Sequence, residues 1–283
     1  MSAPVHQPRL PLTPTGIAIR VVVAVGTLFG ANVIGTAVLA LSAAVLDGER
    51  LNRTNLGLAL AVASNAVVCA TVVGVVWLWC RHIERRPLRS TGWVFTRSSP
   101  AWLLIGTAAC AALVAAVSLA LPAQEAAVGE GSSASAASAG FTVIAVVSQA
   151  FLMQGAPEEL LFRGWLLTSM RERPLVAIVV TTLGFTAIHL VSSGGQQTVG
   201  DHLAYLALPF GMALLAVGVL LWTRSLWGAV GVHGGFHVGV AIAGQRFSDD
   251  ALSWFGVGGT LAVAGLVLTA SALRAGRRLD PRR

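Results

Sequence analysis

The sequence predicts an all-α, polytopic membrane protein of about eight transmembrane helices with both termini in the cytoplasm, and three observations carry that prediction. Of 283 residues, 55% are hydrophobic and only 11% charged, where a soluble domain carries roughly 25% charged residues. Apolar stretches long enough to cross a bilayer recur along the whole chain. The arginines outside those stretches fall mostly in alternate loops, and so on one side of the membrane. The first observation excludes an ordinary cytosolic enzyme. A disordered or fibrous chain is excluded too, because apolar residues dominate and the 31 glycines and 11 prolines follow no repeat.

The N-terminal residues up to Gly16 are polar and proline-rich, and the apolar run after them is longer than a signal-peptide core. The first span is therefore expected to remain in the membrane. Spans fall near 21–46, 56–80, 101–121, 141–170, 174–191, 203–223, 226–243 and 251–273. Between the third and fourth, the Gly/Ser/Ala-rich segment GEGSSASAASAG within 122–140 reads as a flexible extramembrane loop. The organisation expected is a three-helix membrane region over 1–121, that loop over 122–140, a core over 141–243, and a last helix with a basic tail over 244–283.

Orientation follows from the charges. The net charge is +7 and all 19 basic residues are arginine. With the N-terminus inside, 15 arginines and three acids face the cytoplasm, against Arg50, Arg53, Arg246 and seven acids on the other side. Such a split places both termini inside. No basic patch interleaved with aromatics suggests nucleic acid as a partner; the lipid bilayer is the partner expected. Cys69, Cys80 and Cys110 lack metal-ligand spacing and read as packing residues.

Subtracting the loops leaves Glu158, Glu159 and Arg163 inside apolar sequence, in GAPEELLFRGW. An ionised side chain at mid-bilayer costs roughly 2.5–3.5 kcal/mol on insertion scales, which makes each one a functional hypothesis. Glu159 and Arg163, four apart with the acid first, suit a helical ion pair. Pro157 and the two acids could also mark only a helix restart after Gly155. Glu158 points roughly 100° away from the pair and lacks a partner on its own segment. Three of the six histidines, His189, His233 and His237, also fall in spans. His189 follows Phe185 by four residues, and the bland alternative for it is a histidine capped by a neighbouring helix. His233 and His237 are four apart on one face, a spacing that lets one helix supply two metal ligands.

Counting along each helix from its cytoplasmic arginine, Glu158 lies about 20 Å deep, His189 about 24 Å, His233 about 14 Å and His237 about 20 Å. Comparable depths allow one carboxylate and three imidazoles to converge in a low-dielectric site, a metal or hydrolytic constellation.

The pattern resembles the CAAX prenyl protease and bacteriocin-processing family of intramembrane proteases, the CPBP or Abi proteins. Its three motifs read here as Glu158-Glu159-Leu-Leu-Phe-Arg163, Phe185-Thr-Ala-Ile-His189 and His233-Gly-Gly-Phe-His237, and the resemblance covers about residues 141–243. His237 departs from the pattern, since asparagine is usual there. The resemblance implies hydrolysis of membrane-associated peptides or proteins, with Glu158 as general base and Glu159, Arg163 and Phe185 in support. His189 and His233 would orient the water or bind Zn²⁺, with His237 as a third metal ligand or an oxyanion donor. A metal-independent glutamate mechanism is the other form of this expectation. No role beyond packing and enclosing the site is expected for the first three spans. The Arg-rich, lysine-free composition points to a bacterial cell membrane. The competing expectations are a haem electron carrier ligated by two of the histidines, and an immunity or transport factor that cuts no peptide.

Overall fold

The computed structural model describes residues 10–46, 55–122, 139–192 and 194–277. Most of the expected flexible loop, Arg50, Arg53 and the ends of both tails lie outside the described residues. Within them, eight helices are long and apolar enough to cross a membrane: α1 (Pro14–Leu46), α2 (Asn55–His82), α3 (Ser99–Ala120), α4 (Gly140–Ser169), α5 (Pro174–Val191), α6 (Val199–Thr223), α7 (Leu226–Arg246) and α8 (Ala251–Arg274). Each corresponds to one expected span.

Most of the apolar surface of α1 and α2 faces outward, with Val22, Val33 and Leu41 all more than two-thirds exposed. That is the arrangement a hydrocarbon surround requires, since each helix satisfies its own backbone. The inner helices are α6 and α7, whose hydrophobic windows are 61% and 67% buried, against 22–33% for the other six.

Small residues set how closely these helices approach. On α7, a Cβ added to Gly235 would lie 2.6 Å from the Thr107 carbonyl oxygen of α3, and one added to Gly239 would lie 2.9 Å from that of Ala111. On α3, Gly106 faces the Gly228 carbonyl in the same way, at 2.6 Å. Backbones brought this close recover by van der Waals contact what the hydrophobic effect cannot supply inside lipid.

Two local features depart from expectation. The first helix begins at Pro14 rather than near 21, because Thr13 caps it: its hydroxyl accepts the Gly16 N–H at 3.1 Å. Arg20 therefore sits inside α1 near its N-terminal end, only 1% exposed. Its guanidinium donates from Nε to Glu84 Oε1 at 2.9 Å and from Nη2 to the Leu10 carbonyl at 2.8 Å. Glu84, just past α2, also accepts from Arg86 Nε at 2.6 Å. Arg86 in turn donates to the Thr168 hydroxyl at 2.9 Å and the Ser169 hydroxyl at 3.0 Å, so one buried cluster ties α1, the α2–α3 loop and the end of α4 together.

The second departure is α4, which does not simply restart after Gly155. It runs as a wider π-helix over Ser148–Gly155, returns to α over Ala156–Glu159, and widens again over Leu160–Leu166. Pro157 cannot donate a backbone hydrogen bond. Just before it, the Ala156 N–H reaches back five residues to the Phe151 carbonyl. Such bulges recur at functional sites because they re-aim the side chains around them.

Candidate active site

The two glutamates stand on the short α-helical stretch of α4 between the two wide segments, and both are buried. Glu159 Oε1 accepts from Arg163 Nη1 at 3.0 Å, the expected pair four residues apart, and also from His233 Nδ1 at 3.1 Å. Arg163 and Glu159 are wholly enclosed. The guanidinium carbon of Arg163 lies 4.2 Å from the centre of the Phe185 ring, a cation–π contact. Phe185 is also edge-on to Phe162 at 5.3 Å and to His233 at 5.8 Å. It therefore locks α4, α5 and α7 against one another.

His189 ends the α-helical part of α5 and opens a short 3₁₀ turn. Its Nδ1 lies 2.8 Å from the Phe185 carbonyl oxygen. A carbonyl can only accept, so Nδ1 carries the proton and Nε2 presents a lone pair. The same logic applies to His233, whose Nδ1 donates to a carboxylate oxygen already paired with Arg163. His237 is held by ring contacts, stacked on His233 at 5.4 Å with an interplanar angle of 26° and edge-on to Phe236 at 5.2 Å.

Glu158, His189, His233 and His237 line one cavity of about 260 Å³. Four residues that the sequence placed on three separate spans thus share one space, and Glu158 Oε2 is buried without a hydrogen-bond partner among the described residues. Gln154, Tyr205 and Asn32 add neutral polar groups to the same wall. None of the three was anticipated. The available signal was a lone amide in the first span, another four residues before Glu158, and the single tyrosine of the chain. Leu28, Phe29 and Asn32 come from α1, so the first span contributes to the cavity lining and does more than enclose it.

The expected zinc set of His189, His233 and His237 does not fit this arrangement. Ring nitrogens bind metal along lone pairs in the ring plane at about 2.0–2.1 Å, and a tetrahedral ion needs those directions to converge. The near-parallel rings of His233 and His237 direct theirs side by side. Among the described residues, no group of three or more His, Cys, Asp or Glu is placed to hold a metal ion.

Residues 139–239 match the family model described as type II CAAX prenyl endopeptidase Rce1-like. No curated protein and no solved structure matches the chain. The matched segment runs from the head of α4 into α7 and contains all three motifs, leaving α1–α3 and α8 outside. Over residues 139–239, within eight helices that can cross a membrane, the chain is thus similar to the type II CAAX prenyl endopeptidases that this model describes.

Proposed function

We propose that the chain is an intramembrane endopeptidase that hydrolyses membrane-associated peptides or proteins, with water activated by Glu158 and positioned by histidines. The observation that carries this reading is the shared cavity. One carboxylate shares that space with three imidazoles, two of them with their tautomer fixed by a hydrogen bond from Nδ1. His189 and His233, protonated at Nδ1, accept at Nε2 and so orient a water between them and Glu158. Glu158 removes a proton from that water as the oxygen attacks the peptide carbonyl, then passes the proton to the departing amide nitrogen. His237 supplies an N–H to the oxyanion, a role in which a neutral imidazole serves as well as an amide. Arg163 and Glu159 touch no substrate in this scheme; they hold His233 and the helix carrying Glu158. No step passes through a metal.

Both termini face the cytoplasm of a bacterial cell in this proposal, which the arginine distribution supports. The test is cleavage of a fluorogenic membrane-associated peptide by the purified protein in liposomes. His189→Ala should abolish cleavage, and neither metal analysis nor chelation should reveal a dependence on zinc. Undiminished cleavage by the variant would sink the assignment. Activity lost to a chelator and restored by Zn²⁺ would replace this mechanism with a metal one.

A further inference from the structure

Two further cavities lie apart from the active-site cavity, and no residue of their linings is shared with it. One, of about 380 Å³, sits where the α2–α3 loop meets the α6–α7 turn and is lined by Arg89, Arg224, Thr96, Ser98, Ser99 and Thr223 among others, with no acid. Arg224 is held at φ 54° as the cap of α6, and its Nε is buried without a hydrogen-bond partner. The other, of about 310 Å³, is an apolar groove between α3 and α6, floored by Val232 of α7. Thr223 lines both. From Trp102 to Leu113 the groove follows α3 for about 16 Å. Val232 belongs to this groove and His233 to the active-site cavity, so α7 contributes neighbouring residues to both.

The depth of the basic pocket is set by its aromatic neighbours. Trp93 packs on Trp227 at 5.1 Å, Trp227 Nε1 donates to the Val94 carbonyl at 2.8 Å, and Phe95 is 68% exposed. Tryptophan and exposed aromatics of this kind anchor at the headgroup level of a bilayer. We propose that pocket and groove together bind one anionic phospholipid, its phosphate on Arg89 and Arg224 and an acyl chain along the groove. The charge fits: two guanidiniums and several hydroxyls at headgroup depth open onto a purely apolar channel that a soluble anion could not use.

The test is native mass spectrometry of the full chain in detergent with phosphatidylglycerol, phosphatidylcholine of the same chain length, or inorganic phosphate. Phosphatidylglycerol should bind at one molecule per chain, at least tenfold more tightly than phosphatidylcholine, and millimolar phosphate should not displace it. At about fivefold per arginine, the double variant Arg89→Gln/Arg224→Gln should bind roughly twenty-five-fold more weakly. Ala109→Trp, an exposed position on the groove wall, should weaken binding with every charge intact, and Arg97→Gln outside the lining should not. Equal retention of the two lipids would overturn the proposal, as would binding unaffected by both the arginine and the groove variants. Displacement by phosphate would overturn the lipid assignment in favour of a simple anion pocket.

Discussion

Replacing each of the two adjacent glutamates by glutamine separates catalysis from architecture. In Glu158→Gln the side chain keeps its shape, and the buried oxygen it changes, Oε2, has no hydrogen-bond partner to lose. Stability should stay within about 0.5 kcal/mol of the parent, the usual range for a change that breaks no contact. Catalysis should not survive. A positioned general base contributes roughly 10²–10⁴ in rate, which at about 1.4 kcal/mol per factor of ten is about 2.8–5.6 kcal/mol of barrier. Glu159→Gln should behave in the opposite way. Its Oε1 holds both Arg163 and His233, and Arg163 has no exposed surface to retreat to. Leaving one buried charge of a pair unmatched costs roughly 3–5 kcal/mol, so the loss should appear first as a fall in thermal midpoint. The assay is single-turnover cleavage in liposomes beside thermal unfolding of the same preparations. If Glu158→Gln kept activity within tenfold of the parent, or if it lost stability as Glu159→Gln does, the assignment of base and scaffold would be wrong.

Three further outcomes follow from particular contacts. His237→Asn should retain cleavage within about tenfold, because an amide N–H replaces the imidazole N–H at the oxyanion; complete loss in a folded variant would show that the ring itself is needed. Gly235→Ala should lower the thermal midpoint more than Gly234→Ala: the new methyl at 235 meets the fixed Thr107 backbone at 2.6 Å, whereas at 234 it meets the Phe151 ring, which can turn aside. Overpacking of the first kind costs about 1–3 kcal/mol, and an equal effect of the two substitutions would refute the close α3–α7 approach. Glu84 lies outside the spans; burial pushes its carboxyl up, but Arg86 and Arg20 outweigh burial and hold it below its ordinary value of 4.5. Its contribution to stability is therefore complete above about pH 4.5 and disappears as pH falls through the lower folded value. Thermal midpoints measured from pH 7 to pH 3 should show that acid loss in the parent and a smaller one in Glu84→Gln.

The sequence made the spans legible because hydropathy reads a helix long enough to cross lipid directly. It also made the site legible, because Glu158, Glu159, Arg163 and the three histidines are costly inside such spans, and counting residues from the arginines put them at one depth. Other features left no such trace. Asn32, Gln154 and Tyr205 are neutral and carry little penalty in apolar sequence, so nothing marked them as lining the cavity. Arg20 and Glu84 are 64 residues apart, and each looked like an ordinary loop charge until the helices brought them together. Spacing by four put His233 and His237 on one face but said nothing of the ring planes, and it is the ring planes that decide whether two imidazoles can share a metal.

The wide turns of α4 give its buried charges a role beyond stability. A buried ion pair roughly breaks even against apolar packing of the same volume, so the Glu159–Arg163–His233 group and the Glu84–Arg86 group are poorly explained as sources of folding energy. They are well explained as pins. Relaxing a π-bulge into α-helix shifts the hydrogen-bond register by one residue and turns everything beyond it by about 100°, enough to swing Glu158 out of the cavity. The segment Leu160–Leu166 lies between the two groups: Glu159 is fixed to α7 on one side, and Thr168 and Ser169 are fixed to Arg86 on the other. With both ends tied to other helices the register cannot slip, and the carboxylate between the two wide segments stays in the lining of the cavity that it shares with His189.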